Sequence, residues 1–406
     1  MVWVTRKYKN YLLPLLQYLN NLFKYLATSK NANTCILLAD FAEYGGTRTY
    51  FEQLCQYLKE KDQVVICLIA NKQKNAAFLD LINIYGFKFE LIPDKEYIID
   101  YTGKWSLKLY FYFLNKLLSD FNLFIAFCRK YKTSTFLIST GEPEKWLYLL
   151  WLPVNNILYI LHTLPSKNIG SIGGFTLQKR LSLRKRIITV SNFSQKKLLH
   201  YWNLYGFHEQ YVKVIHNFFE PSSNSFSKDA DDAIIILTLG HVVSYKDPKT
   251  WIDVAKLVLA NLPNKKIEFV WAGDGLLFNE CQNEVFDNPF IKFSGYIKNV
   301  TELYSSADIY FQPSLVESHG IAVIGAMYHE LPCVVSKVGG LTESVVDNVN
   351  GYLIKPRDTR GFSKKIELLV NDVDKRKAMG QSSKMLFNEK FSRAQWLKNM
   401  NELIKI

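Results

Sequence analysis

The chain lacks the short signatures by which several large classes of α/β protein declare their chemistry. Its 406 residues contain no G-x-G-x-x-G after a strand-like run, no GxxxxGK[ST], no G-x-S-x-G and no H-E-x-x-H. Dehydrogenase, nucleotide triphosphatase, hydrolase and zinc protease readings therefore lose their main support. Cysteine is scarce and scattered: Cys35, Cys55, Cys67, Cys128, Cys281 and Cys333 lie singly in apolar segments, without C-x-x-C or metal-ligand spacing with the seven histidines. Such cysteines read as buried, reduced thiols of a cytoplasmic protein, and no metal site is expected. Residues 1–30 contain no acid, and Pro14, Gln17, Asn20, Asn21 and Lys24 interrupt any apolar run long enough to span a bilayer. No small-residue cleavage site follows them.

What is present is a charge confined to one half. Residues 1–200 hold 27 Lys and Arg against 13 Asp and Glu, whereas residues 201–406 hold 23 against 24. A one-sided basic field suits an anionic partner. The basic residues carry no recognised nucleic-acid reader pattern, so no nucleic acid is expected, and an anionic membrane surface fits better. Within residues 1–30, Arg6, Lys7, Lys9, Lys24 and Lys30 accompany Leu12, Leu15, Leu19, Leu22, Phe23 and Leu26 at helical spacing. That pattern predicts a basic amphipathic segment lying on the inner face of the plasma membrane. The aromatic segment Trp105 to Phe127 either joins that surface or forms a core helix on a sheet.

Strand-like and helix-like runs alternate along nearly the whole length, which predicts parallel sheets covered by helices. "TCILLADF", "QVVICLIA", "TFLIST", "NILYILH" and "RIITVS" are strands of a first domain; "AIIILTLG", "KIEFVWAG", "ADIYFQPS" and "LPCVVSK" are strands of a second. Between them "EPSSNSFSKDADD", residues 220–232, has no apolar period and reads as a linker. The expected organisation is an N-terminal segment 1–30, a Rossmann-like domain 31–219, the linker 220–232, a second Rossmann-like domain 233–385, and a C-terminal helix 386–406 crossing back to the first. Such sheets bind ligands at the carboxyl ends of their strands.

Three strand-to-helix junctions there carry glycine. Gly45 and Gly46 follow the first strand, Gly320 opens an apolar helix, and Gly240 ends a strand shortly before Lys246. A helix N-terminus and an ammonium together suit a diphosphate. Each alone is also an ordinary turn or a solvated lysine.

In their order along residues 33–395, "YGGTRTY", "ILHTLP", "ITVSNFS", "VIHNF", "GHVVSYKDP", "VWAGDG", "FSGYI", "ADIYFQPSLVESHGIAV" and "GGLTESVVDNVNGYLIKPRD" resemble the retaining nucleotide-sugar glycosyltransferases of GT-B fold with a C-terminal Glu-x7-Glu signature, the glycosyl transferases group 1. The resemblance implies two Rossmann-like domains facing across a cleft, a nucleotide-diphosphate sugar as donor substrate, no cofactor, and a glycan or lipid-linked acceptor. It implies that Gly45 and Gly46 close over the donor, that His162 lies beside the transferred sugar, and that Gly240, His241 and Lys246 line the diphosphate. The backbone around Ile297 would edge the nucleobase, Glu317 would bind sugar hydroxyls, and the N–H groups of Gly320 and Ile321 would meet phosphate. Two departures stand out. His241 replaces a frequent arginine, and Gly325 occupies the place of the second glutamate, eight residues after Glu317. Either ribose is held otherwise, or the chain is a catalytically inert GT-B subunit that positions a partner.

Overall fold

The computed structural model describes residues 34–39, 46–61, 64–69, 76–91, 135–139, 147, 149–151, 156–165, 167, 170–221 and 233–404. Gly45, the segments 1–30 and Trp105 to Phe127, Cys128 and most of the linker fall outside them. Thirteen strands among these residues form two sheets, each parallel throughout.

The first sheet contains β1 (Thr34–Ala39), β2 (Val64–Ile69), β3 (Lys88–Leu91), β4 (Thr135–Ser139), β5 (Asn156–Leu161), β6 (Lys185–Thr189) and β7 (Val212–Val214), in the order β3-β2-β1-β4-β5-β6-β7. The second contains β8 (Ile234–Leu239), β9 (Ile267–Ala272), β10 (Ile291–Phe293), β11 (Ile309–Gln312), β12 (Cys333–Ser336) and β13 (Gly351–Ile354), in the order β10-β9-β8-β11-β12-β13. In both, the order reverses beside the first strand of the domain, and a crevice opens where neighbouring connections leave in opposite directions.

The described helices are α1 (Gly46–Glu60), α2 (Ala76–Tyr85), α3 (Gly170–Arg180), α4 (Asn192–Tyr201), α5 (Pro248–Asn261), α6 (Phe278–Glu284), α7 (Val300–Ser306), α8 (Ile321–Tyr328), α9 (Leu341–Ser344), α10 (Thr359–Asn371), α11 (Val373–Lys390) and α12 (Arg393–Leu403). Both faces of each sheet are buried, and the period of two sorts side chains between them. In β1, Ile36 and Leu38 join the core under α3 and α4, while Cys35 and Leu37 join the core under α1 and α2. In β11, Ile309 and Phe311 face α5 and α10, and Tyr310 faces α7 and α8. The five described cysteines are free and buried, and burial pushes the thiols of Cys35 and Cys55 up to about 12.

The chain near residue 400 completes the first domain. Phe391 ends α11, and Ser392 starts α12 by accepting from the Gln395 amide at 3.4 Å. Trp396 of α12 packs edge-on to Tyr57 with centroids 5.3 Å apart and lies 5.0 Å from Phe218. Met400 and Leu403 enter the same core as α1 and β2. The Tyr57 hydroxyl donates to Asn401 Oδ1 at 2.9 Å, and Arg393 pairs with Glu60 and Glu220. Among the described residues no helix is long and apolar enough to cross a membrane.

Candidate active site

Nearly every residue singled out above follows a strand at its carboxyl end, so the fold itself gathers them. β8 ends at Leu239, and Gly240 turns the chain with φ 141°, a conformation side chains disfavour. Its amide donates to Ala272 O at 3.0 Å and its carbonyl accepts from Trp271 Nε1 at 2.8 Å. A tight turn, Ser244–Lys246, then delivers Lys246 back over Gly240, where an added Cβ would stand 3.7 Å from Lys246 Cε. Asp247 halts that turn and caps α5, accepting from Thr250 N and Thr250 Oγ1, with Pro248 in the first helical turn.

β11 ends at Gln312 and leads to Glu317. Leu315 N donates to Tyr245 O at 2.8 Å and ties this loop to the one carrying Lys246. Lys246 Nζ meets Glu317 Oε2 at 2.5 Å, and Gln312 Nε2 donates to the same oxygen at 2.9 Å. Gln312 is held in turn by the Tyr310 hydroxyl at 2.8 Å and by Ser314 Oγ at 3.0 Å. Glu317 Oε1 takes no hydrogen bond among the described residues. The pair is sheltered, with side chains 13% and 15% exposed. A cation and an anion are thus held in one place, each able to exchange its partner for a ligand group of opposite character.

Gly320 caps α8 without a side chain, at φ 89°. That left-handed backbone favours glycine, and a Cβ there would also press on Leu341 Cδ2 at 2.7 Å. The first amides of α8 therefore meet no side-chain cap and suit an anion. Gly46 starts α1 across the cleft, and a Cβ on it would meet Ile321 Cδ1 at 3.4 Å. Two helix N-termini, one from each domain, thus approach one another.

The remaining candidates lie further out. His241 turns Nδ1 towards Asp274 O at 3.3 Å. Ile297 packs its side chain into the core of the second domain, leaving its backbone as the group it can offer. His162 follows β5, but its ring lies against Tyr50 with centroids 4.1 Å apart and beside Phe51. Burial holds it neutral, down to about 3, and its Nε2 has no hydrogen-bond partner among the described residues.

Gly325 sits inside α8 because Tyr304 of α7 fills the space a side chain would need. A Cβ at position 325 would stand 2.6 Å from the Tyr304 hydroxyl and 2.7 Å from its Cζ. That ring is buried, stacks on His329 with centroids 5.1 Å apart, and donates its hydroxyl to Ala322 O at 2.8 Å.

Sequence reasoning missed the groups joining the domains. Glu343 of α9 accepts from Asn192 N at 2.9 Å, Asn192 Nδ2 at 2.7 Å and Phe193 N at 2.7 Å, and meets His216 Nε2 at 3.1 Å. Burial pushes its carboxyl up, but the bonds from His216, Asn192 and Phe193 outweigh this and hold it down at about 2. His319 accepts from Asn217 N at Nδ1 and stacks on His216, 5.0 Å away. Only a polar residue inside "GGLTES" and a histidine before Gly320 hinted at either.

Burial, then the neighbouring His216, lower the His319 imidazole to about 3, against a smaller opposing pull from Glu343. From pH 6.5 downward the unfolded chain takes up a proton that the folded chain refuses until about pH 3, so stability falls with pH through that window. At pH 4.5 this costs roughly 2–3 kcal/mol from His319 alone. Thermal melts between pH 7 and 4.5 should show the loss, and His319→Phe should flatten the slope; an equally steep slope in that variant would remove His319 as its source.

Residues 221–385 match the family model described as glycosyl transferases group 1. A GalNAc-alpha-(1->4)-GalNAc-alpha-(1->3)-diNAcBac-PP-undecaprenol alpha-1,4-N-acetyl-D-galactosaminyltransferase of Campylobacter jejuni is 27% identical over 207 residues, covering 48% of this chain and 57% of that protein. The capsular polysaccharide biosynthesis glycosyltransferase CapM of Staphylococcus aureus is 23% identical over 219 residues, covering 52% and 56%. The chain thus spans about half the length of these curated relatives. The crystal structure of Anabaena Alr3699/HepE in complex with UDP superposes with a TM-score of 0.69 at 16% identity, over 92% of this chain and 99% of that one. Two parallel sheets of the same strand order and the superposition on HepE show a GT-B fold, and the match to the glycosyl transferases group 1 model is confined to residues 221–385.

Proposed function

We propose that the protein is a retaining glycosyltransferase that moves a sugar from a nucleotide-diphosphate donor to a glycan or lipid-linked acceptor without a metal ion. The observation that carries this reading is the sheltered pair of Lys246 and Glu317 beside the uncapped start of α8. In the reaction the acceptor oxygen bonds to the anomeric carbon as that carbon's bond to the diphosphate breaks. The acceptor proton passes to the departing phosphate oxygen. Lys246 and the amides after Gly320 stabilise the charge that develops on the diphosphate, and Glu317 accepts from sugar hydroxyls. The acceptor class is supported by the Campylobacter relative, whose own name specifies an undecaprenol-linked glycan. Because HepE is seen with UDP, a uridine nucleotide is the first donor to test.

The reading places the protein at the inner membrane face, making cell-surface glycan. The basic surplus of residues 1–200 supports this, as do exposed Phe175, Leu183 and Phe207 on the first domain, with Arg180 stacked 4.3 Å above Trp151. The carboxylate missing at position 325 favours the second reading, an inert subunit that positions a partner.

One experiment separates the two. UDP-, GDP- and ADP-sugars are screened for thermal stabilisation and donor turnover with EDTA present, with and without anionic vesicles carrying polyprenyl-linked glycan. A true donor at a hundred times its Kd should add about 2.7 kcal/mol. Stabilisation and turnover by one nucleotide class, with co-sedimentation on the vesicles, are expected; no shift and no turnover on any arm would leave the inert subunit.

A further inference from the structure

We propose that Glu343 is a positioning residue: it locks the two domains together and, through the turn that carries it, holds the Glu317–Gly320 loop in register for the donor. The inference rests on the donor site proposed above, but its structural part does not need that site to turn over.

Glu343 belongs to the second domain, and among the described residues every partner of its carboxylate belongs to the first. Both carboxylate oxygens are used: Oε1 accepts from Phe193 N, and Oε2 from Asn192 N and Asn192 Nδ2, with His216 Nε2 on the same oxygen. Asn192 and Phe193 open α4, so the carboxylate lies where the exposed amides and dipole of that helix favour an anion. His216 follows β7, on the segment leading out of the first domain. Such seams between domains are polar, and relative motion across them is the default unless specific contacts prevent it.

The turn behind Glu343 leaves little freedom relative to Glu317. Gly340 N donates to Glu317 O at 3.2 Å. A side chain on Gly339 would strike Glu317 O, one on Gly340 would strike Ser318 O, and one on Gly320 would strike Leu341. Gly339 and Gly340 thus let residues 317–318 and 339–340 pack backbone on backbone, and Gly320 leaves room for the Leu341 side chain, so that a displacement of α9 is carried into the loop. The same loop is fastened directly to the first domain. Ser191 Oγ, which also caps α4, donates to Ser318 O at 2.6 Å, and Asn217 N donates to His319 Nδ1 at 3.2 Å. Beside its ties to Lys246 and Gln312, the loop carrying Glu317 and the start of α8 is thus also braced from α4 and α9.

The test uses the full chain with Glu343→Gln, Glu343→Asp and Asn192→Ala. Glutamine keeps the shape but turns an N–H group towards amides that need an acceptor, whereas aspartate keeps the charge one methylene short. With the nucleotide sugar found in the screen, Glu343→Gln should lower kcat/KM on the order of 100-fold, the scale of a misplaced reacting group. Asn192→Ala should lower it less, aspartate should restore part of the loss, and the double variant should lose no more than Glu343→Gln alone. Small-angle scattering without nucleotide should show a larger radius of gyration for Glu343→Gln than for the unaltered chain. Asn192 is exposed, so its variant carries the test if Glu343→Gln does not fold. Unchanged scattering together with unchanged kcat/KM in both variants would overturn the proposal. If no donor is found, the scattering arm still decides whether Glu343 locks the domains, and only the glycosyltransferase reading fails.

Discussion

Glutamate in place of Gly325 is expected to cost the fold roughly 4 kcal/mol, combining an overpacked core with a carboxylate that has no partner there. The Tyr304 ring cannot retreat from a new side chain, because His329 stacks behind it and Phe219 packs edge-on to it at 5.6 Å. At 2–4 °C per kcal/mol for a domain of this size, the melting temperature should drop by about 10 °C. Tyr304→Ala opens a cavity of its own. Combined with Gly325→Glu it should lose less than the two single variants together, because each change removes what the other offends. Differential scanning fluorimetry of the three variants checks this. An unaltered melting temperature with tighter nucleotide binding in Gly325→Glu would instead mean that position 325 opens on the ligand.

Glu317→Gln should reduce sugar transfer by about 100-fold, the scale of a misplaced reacting group, because the proposed site uses this carboxylate to hold the sugar hydroxyls. The carboxamide keeps the volume, so the effect falls on kcat more than on folding. In the proposed site Lys246 faces the diphosphate both before and during its departure, so Lys246→Ala should raise the donor KM and lower kcat as well. Steady-state kinetics over a range of donor concentrations separate the two. Transfer at the unaltered rate in Glu317→Gln would take Glu317 out of the reaction.

The strands and their alternation with helices were legible because they depend on local pattern. "TCILLADF" and "AIIILTLG" contain β1 and β8, and the Asp-Pro of "YKDPKT" marks the start of α5 as a cap and a first helical turn. The resemblance implied a diphosphate contact for Lys246 and a sugar contact for Glu317, but not their pairing; the bond from Leu315 N to Tyr245 O that ties their loops together joins residues seventy positions apart and has no local signal. For the same reason Gly325 could be read as a lost ligand or as a packing requirement until Tyr304, on another helix, was seen beside it. Glu343 was the least legible. A carboxylate in an exposed turn of its own domain gives no sign that its partners are amides of the other. His162 shows the converse: its position after β5 matches the expected order, yet its ring is occupied by Tyr50.

The crossing of α12 also sets an order of assembly during synthesis. Trp396, Met400 and Leu403 are translated after the whole second domain, yet they close the face of the first domain lined by Tyr50, Tyr57 and Phe218. At the usual pace of translation that face waits on the order of ten seconds or more for its cover, presenting aromatic surface to chaperones and to other nascent chains. The domain that leaves the ribosome first is therefore finished last, and a nascent chain stopped before residue 393 carries an N-terminal domain with an open flank.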